Sequence, residues 1–490
     1  MRPKFKLLDA ELAKGVVEEA LDVLERVGVM VESADALELL REAGTLVDDD
    51  GRRVLFPRDL VRRAVRDAPG SVVLHDVAGR EAAKLEGDRV HFCPGSAALN
   101  VLDGDTGEIR AATSKDASAF NRVVEQLEHV ALNSTAIVCS DLPEACADRY
   151  RLFLCLTLCS KPVVTGTFNA ASFPVMLEML HVVRGSPEAL RDKPLAAFDA
   201  CPSPPLQWSD LTCRAVVDCA RAGVPSELVS MPMTGATAPV TPFDALVQHA
   251  AENLSGVAIS QLASRGAPVI WGGSPSAFDL RFGTTPMGSM DTMLLDLAVV
   301  EVGKHLGLPT HAYLGLSDAK VLDAQAGLES GAGTLLAGLA GVNVVSGAGM
   351  LEFERTQSPE KLVLDDQVCG MVLKFLEGVR PRSDAEPGAV ELLADFCLGG
   401  RAPLSHPHTR RWYRSAAFYP GPVVDRLSLA EWRAAGRKDA AARAREEVAK
   451  LLSSYEGPPL ESLDPEAARR LKALAREDLA NFGVDGLPGL

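Results

Sequence analysis

Asp318 and Glu352 are the carboxylates most suggestive of chemistry. Each lies just past an apolar run in a small-residue loop, Ser317-Asp318-Ala319-Lys320 and Gly347-Ala348-Gly349-Met350-Leu351-Glu352. A carboxylate left unpaired there suits a cationic ligand, while capping a helix N-terminus is the structural alternative for Asp318. Lys320 raises a second chemistry, a Schiff base with a carbonyl substrate, which requires burial to lower its pKa; a loop salt bridge is the simpler role. His311 and Tyr313 are two residues apart, so on a strand they point to the same side. Glu329 follows Gln325 by four residues, the spacing of an ordinary helix-face pair. Gly347-Ala348-Gly349 lacks the third glycine and capped helix of a phosphate loop. The 10 cysteines are scattered without CxxC or a His/Cys cluster at ligand spacing, which predicts reduced thiols and no metal site.

The elements that must carry these residues follow from eight apolar runs: 90–102, 131–139, 162–168, 195–200, 226–231, 268–271, 309–314 and 342–345. Each precedes a Gly/Ser/Pro/Asn-rich loop and then a helical segment. Continuous apolar runs imply parallel strands covered on both faces, and eight strand–helix units predict a (β/α)8 TIM barrel, with an open doubly wound sheet as the alternative. The active site then belongs at the carboxyl ends of the strands. Three parts are expected: a helix and hairpin cap over 1–87, the barrel over 88–380 and a helical extension over 381–490. Helices are predicted over 9–45 (two), 428–455 and 464–481, and a hairpin joins Ala97–Leu102 to Glu108–Arg110 through Asp103-Gly104-Asp105-Thr106-Gly107.

Composition bounds the function. With 490 residues, 47% hydrophobic, the chain can bury a large core, which excludes fibrous and disordered classes. Its net charge of −16, without a basic run, argues against a nucleic-acid partner. No apolar stretch has the length of a membrane span and no signal core follows the basic Met1–Lys6, so a cytoplasmic protein is expected.

Three segments together resemble the trimethylamine methyltransferase family: Met231-Pro232-Met233-Thr234-Gly235-Ala236-Thr237-Ala238-Pro239-Val240-Thr241; Ser317-Asp318-Ala319-Lys320 with Asp323-Ala324-Gln325-Ala326-Gly327-Leu328-Glu329; and Gly347-Ala348-Gly349-Met350-Leu351-Glu352. The similarity runs over roughly residues 5 to 460. It implies a TIM barrel that moves a methyl group from a methylated amine to the Co(I) of a separate corrinoid protein. Cobalamin would therefore be carried by a cognate partner, with no tightly bound cofactor in this chain. Members acting on trimethylamine carry pyrrolysine. This chain contains only the twenty ordinary residues and so resembles the branch without it, whose members demethylate quaternary amines such as glycine betaine. A quaternary nitrogen already bears the charge that lets a neutral tertiary amine leave.

Such a substrate implies an aromatic cage with one or two carboxylates, because a quaternary ammonium has no N–H to donate. The strand-end aromatics are Phe92, Phe168, Phe198, Trp271, Tyr313 and Phe353; of these Phe168, Trp271 and Tyr313 are the expected cage, with Asp318 and Glu352 as the catalytic carboxylates. For a betaine carboxylate the candidate donors are His311, Asn169, Lys320 and the backbone amides of Gly272 and Gly273. The competing readings are the Lys320 Schiff-base lyase or aldolase and a non-catalytic scaffold that binds the corrinoid protein. A homo-oligomer is expected, with the helical tail available for docking.

Overall fold

The computed structural model describes residues 2–48, 50–382 and 386–490. Eight strands make up the two main parallel sheets: β1 His91–Pro94, β2 Asn133–Ser134, β3 Val163–Gly166, β4 Ala196–Ala200, β5 Ser226–Ser230, β6 Val269–Gly273, β7 His311–Ala312 and β8 Val344–Ala348. Strands β2 to β6 form one five-stranded sheet, and β7, β8 and β1 form a three-stranded one. Parallel bridges at Phe92↔Val130 and Trp271↔Thr310 link the two sheets on either side. Each predicted apolar run thus supplies one strand of these two sheets. A helix follows each strand: α1 Ser114–Gln126, α2 Glu144–Leu158, α3 Ser172–Arg184, α4 Asp210–Ala222, α5 Pro242–Ala263, α6 Met290–His305, α7 Ala324–Ala340 and α8 Pro359–Leu376.

The fold is therefore α/β with parallel sheets, and its apolar runs are continuous because both faces of each strand are covered. All residues of β5, β6 and β8 are buried. One face packs on the helices: Leu228 and Trp271 share a cluster with Leu254 of α5 and Val299 of α6. The other face is closed off at the amino ends, where Cys93, Leu132, Val164, Ala197, Ile270 and Val344 cluster with Val72, Leu74, Ala83 and Leu85. These last four belong to a hairpin, Val72–His75 with Glu81–Leu85, that plugs this end. The carboxyl ends are left for function.

Helix starts are set locally. Ser289, Asp323 and Ser358 cap α6, α7 and α8 by accepting backbone N–H groups of their first turns. The cap of α7 is thus Asp323, which removes the N-cap role considered for Asp318. The N-terminal helices Ala10–Arg26 and Ala34–Glu42 match expectation and bury Val16, Ala20, Leu21, Leu24, Leu37 and Leu40.

Two expectations are corrected. The run 90–102 is not one strand: after β1, Asn100–Leu102 joins a different sheet, pairing with Ile109–Ala111 as the predicted hairpin and with Thr356–Gln357. The single helix over 428–455 is two, Leu429–Ala434 and Ala440–Ser454, because Gly436 and Arg437 take positive φ and Asp439 starts a new cap. Among the described residues, no helix is long and apolar enough to cross a membrane.

Candidate active site

Strand parity decides which side chains reach the carboxyl-end mouth. On β4, Phe198 faces the helices and packs 5.1 Å from Phe173, which turns Asp199 to the opposite face. On β5, outward Leu228 leaves Glu227 and Val229 on the inner face. On β7, outward Ala312 and Leu314 leave His311 and Tyr313 inside.

These inner groups meet. His311 Nδ1 lies 2.8 Å from Glu227 Oε1, and the His311 ring stands edge-on to Tyr313 at 4.6 Å and 89°. Glu227 Oε2, His311 Nε2 and Asp199 Oδ1 have no hydrogen-bond partner. Burial, reinforced by Glu227, pushes the Asp199 carboxyl well above the usual range, while Arg151 pulls the other way. Burial also raises the Tyr313 phenol, helped by Asp199, Glu354, Cys201 and Glu227. Behind β6, fully buried Asp296 on α6 has both carboxyl oxygens unpartnered, and burial pushes its pKa well up. Buried carboxyls with so little cationic compensation are costly, and a bound cation offsets that cost.

A strained turn follows β8. Glu352, Phe353 and Glu354 have φ of 52°, 57° and 64°, three consecutive non-glycine residues in the left-handed region. Each costs about 1–2 kcal/mol relative to a right-handed conformation. The turn is held by Glu352 N–H donating to Ala319 O (3.0 Å), Arg355 N–H donating to Glu352 O (3.1 Å) and Thr356 Oγ1 donating to Glu352 Oε2 (2.5 Å). It delivers Glu354, whose Oε1 is buried without a partner and whose pKa burial, then Asp318, raises to about 8. Glu354 also lines a cleft of about 860 Å³ with Leu99, Val138, Leu142, Phe168 and Leu211.

The structure distributes the sequence candidates unevenly. It brings His311 and Tyr313 together with Asp199 and Glu227. Phe168 lines the cleft at 38% exposure; its ring lies 4.5 Å from the Arg151 guanidinium carbon and its N–H donates to Asp148. Asp318 is buried, with Oδ2 accepting from Gly288 N–H at 3.0 Å and Oδ1 unpartnered; burial lifts its pKa to about 6.

Other candidates are corrected. Trp271 is no cage residue: it faces the helices, fully buried, and its indole N–H donates to Val299 O at 3.0 Å. The Glu352 carboxylate is spent on Thr356, so Glu354 is the carboxyl this turn presents. Gly272 and Gly273 lie within strand β6, in register with Val229 and Ser230 of β5. A Cβ on Gly272 would sit 2.8 Å from His311 Nδ1, so glycine here makes room for the histidine. Asn169 folds its own loop, donating to Ala145 O and accepting from Ala171 N–H. Lys320 is exposed, donates to Asp318 O at 2.7 Å and stands 3.9 Å from the Phe353 ring centre, so the Schiff-base reading lacks a buried amine. Glu329 pairs with Gln325 as expected and also accepts from Ser317 and Asp318 N–H.

Sequence reading missed Asp199, Glu227, Asp296 and Glu354. For Asp199 and Glu227 the signal was present: a carboxylate inside an otherwise apolar run, Leu195-Ala196-Ala197-Phe198-Asp199 and Ser226-Glu227-Leu228-Val229, has no cheap structural role. All 10 cysteines are free, and among the described residues no group of three or more His, Cys, Asp or Glu could hold a metal ion.

Comparison with known proteins decides the family: the description "Trimethylamine methyltransferase (MTTB)" matches residues 1–479. The chain belongs to the trimethylamine methyltransferase family. Trimethylamine methyltransferase MttB of Desulfitobacterium hafniense (strain DSM 10664 / DCB-2) is 31% identical over 465 residues, 95% of this chain and 92% of that protein. Glycine betaine methyltransferase of Desulfitobacterium hafniense (strain Y51) is 28% identical over 473 residues, 96% of each. The monomethylamine methyltransferase (MtmB) of Methanosarcina barkeri superposes with a TM-score of 0.50 at 11% identity, over 98% of this chain and 89% of that one, which indicates a shared fold. As a family member the chain is a methyltransferase, and with only ordinary residues in its sequence it falls in the branch without pyrrolysine.

Proposed function

We propose that this methyltransferase takes a methyl group from a quaternary amine, glycine betaine or a related betaine, and passes it to the Co(I) of a cognate corrinoid protein. Family members work with corrinoid proteins and methylated amines. In this reading the bridges at Phe92↔Val130 and Trp271↔Thr310 close the eight strands into a (β/α)8 barrel, capped by residues 1–87 and extended by 381–490. The observation that carries the reading is the pair Asp199 and Glu227, register partners on the inner faces of neighbouring strands β4 and β5, both carboxyl groups deeply placed, with Asp199 Oδ1 and Glu227 Oε2 lacking a hydrogen-bond partner.

Their role is to hold and orient a fixed positive charge. Tyr313 and Phe168 add aromatic surface beside it, and His311 sets the position of Glu227. The cobalt electron pair attacks one N–CH3 carbon in line; the Co–C bond forms as the C–N bond breaks, and the nitrogen keeps the electron pair. The product is a neutral tertiary amine, so the carboxyl groups hold the substrate more tightly than the leaving amine. Cobalamin arrives on the partner protein as the methyl acceptor, and the cleft of about 860 Å³ beside Phe168 and Glu354 leaves the mouth open on that side. Asp318, buried with one carboxyl oxygen unpartnered, stays a candidate for substrate contact. The reading keeps the enzyme in the cytoplasm, where its free cysteines remain reduced, and as a homo-oligomer.

Thermal-shift titration against a panel of methylated amines tests it. Ligand binding raises the melting temperature in proportion to ln(1 + [L]/Kd). Stabilisation by quaternary amines and not by their demethylated products is expected; equal shifts with both, or none, would contradict the proposal.

A further inference from the structure

The left-handed turn after β8 spends conformational energy to place one carboxyl group. Glu352, Phe353 and Glu354 all have positive φ, and none is glycine. Glu352 is consumed in closing the turn on Thr356, and Phe353 lies under Lys320. Glu354 is left with a buried, unpartnered Oε1 in the wall of the cleft. It shares that cleft with Phe168 just past the end of β3, the strand paired with the Asp199 strand β4.

Building on the proposed function, we propose that Glu354 is a substrate-contacting residue: in its neutral form it donates a hydrogen bond to the carboxylate of the amine substrate and selects carboxylate-bearing quaternary amines over simple ones. Asp199 and Glu227 offer acceptors for a cation, and a zwitterion needs donors at its other end, on the cleft wall that Glu354 and Arg355 line. An ionised Glu354 would repel that carboxylate, whereas a carboxylic acid pairs with it.

The groups around Glu354 keep it protonated. Asp318 approaches from the loop after β7, Asp199 from β4, Asp296 from α6 and Tyr313 from β7, and each is acidic or neutral. Arg355 of the same turn and Glu144 of α2 also line the cleft, and Arg151 of α2 acts on Asp199. Burial and the Asp318 carboxyl together place the transition at about pH 8.

Isothermal titration of the full-length protein with glycine betaine and with its amide, in which the carboxylate is replaced by an uncharged carboxamide, tests the assignment between pH 6.5 and 9.5. In the wild type, affinity for glycine betaine should fall about tenfold per unit once pH passes 8, while affinity for the amide holds or rises as Glu354 ionises. Glu354→Ala should weaken glycine betaine roughly 10- to 100-fold at pH 7 and the amide by clearly less, because the bond to a carboxylate is charge-assisted and the bond to an amide carbonyl is not. Glu354→Gln keeps a donor and the shape of the side chain, so it should retain most of the betaine affinity and lose the pH dependence. Equal losses for both ligands in Glu354→Ala, or a flat betaine profile in the wild type, would overturn the assignment while leaving the cation site standing. Failure of the wild type to bind either ligand would overturn the proposed function and this role with it.

Discussion

His311 Nδ1 lies 2.8 Å from Glu227 Oε1, and both side chains are completely buried on the inner face, reaching across β6 from β7 and β5. The contact holds the glutamate in place without satisfying it, since its oxygens keep free hydrogen-bonding capacity. Glu227→Gln should therefore weaken binding of a quaternary amine by about 2–5 kcal/mol, the range for removing one charge of a buried pair. Isothermal titration reads the loss, and an unchanged circular dichroism spectrum excludes misfolding as its cause.

Gly272→Ala separates position from chemistry. The added Cβ would sit 2.8 Å from His311 Nδ1 and 3.2 Å from Leu228 O, so the imidazole must give way. Overpacking of this kind costs about 1–3 kcal/mol of stability. Because the displaced group lies in the proposed site, kcat/KM should fall by more than the loss of stability accounts for; parallel melting and turnover measurements compare the two.

Trp271→Ala should behave in the opposite way. The indole fills the layer between β6 and the helices and contributes one hydrogen bond to Val299 O. Its loss should cost about 3–5 kcal/mol of stability by urea denaturation. Substrate affinity of the remaining folded protein should be unchanged.

Asp318 gives a pH signature. Its folded-state pKa of about 6 exceeds the ordinary aspartate value because burial disfavours the anion. Between pH 4 and 6 the native state holds a proton that the unfolded chain has released, so this group's contribution to stability is full below pH 4 and is lost as pH rises through 6. Asp318→Asn removes the penalty and can still accept from Gly288 N–H. The variant should melt higher than the wild type at pH 7, and the two should converge below about pH 4.

The fold was legible where one physical pattern dominated. Each apolar run, from 131–139 to 342–345, became a parallel strand because both faces of these strands are covered, and the plugging hairpin lay within the expected cap region. That same coverage hid strand parity: a run buried on both faces does not reveal which residues point inward, so Trp271 was taken for a mouth residue while Asp199 and Glu227 were passed over. His311 and Tyr313 escaped this ambiguity because two polar-tipped rings two residues apart must share a face. Glu354 could not be read at all, since three left-handed residues without glycine leave no trace in composition or periodicity. The break at Gly436 was missed because alanine-rich helical pattern continues on both sides of it.

Methyl transfer from a permanently charged nitrogen leaves a direct spectroscopic signature on the acceptor. The most direct measurement is the absorption spectrum of a reduced corrinoid protein, mixed anaerobically with this enzyme and glycine betaine. Conversion of the Co(I) spectrum to methyl-Co(III), with one tertiary amine formed per cobalt and no conversion by Glu227→Gln, is the predicted result. A Co(I) spectrum unchanged by glycine betaine and related betaines, or conversion with trimethylamine alone, would contradict it.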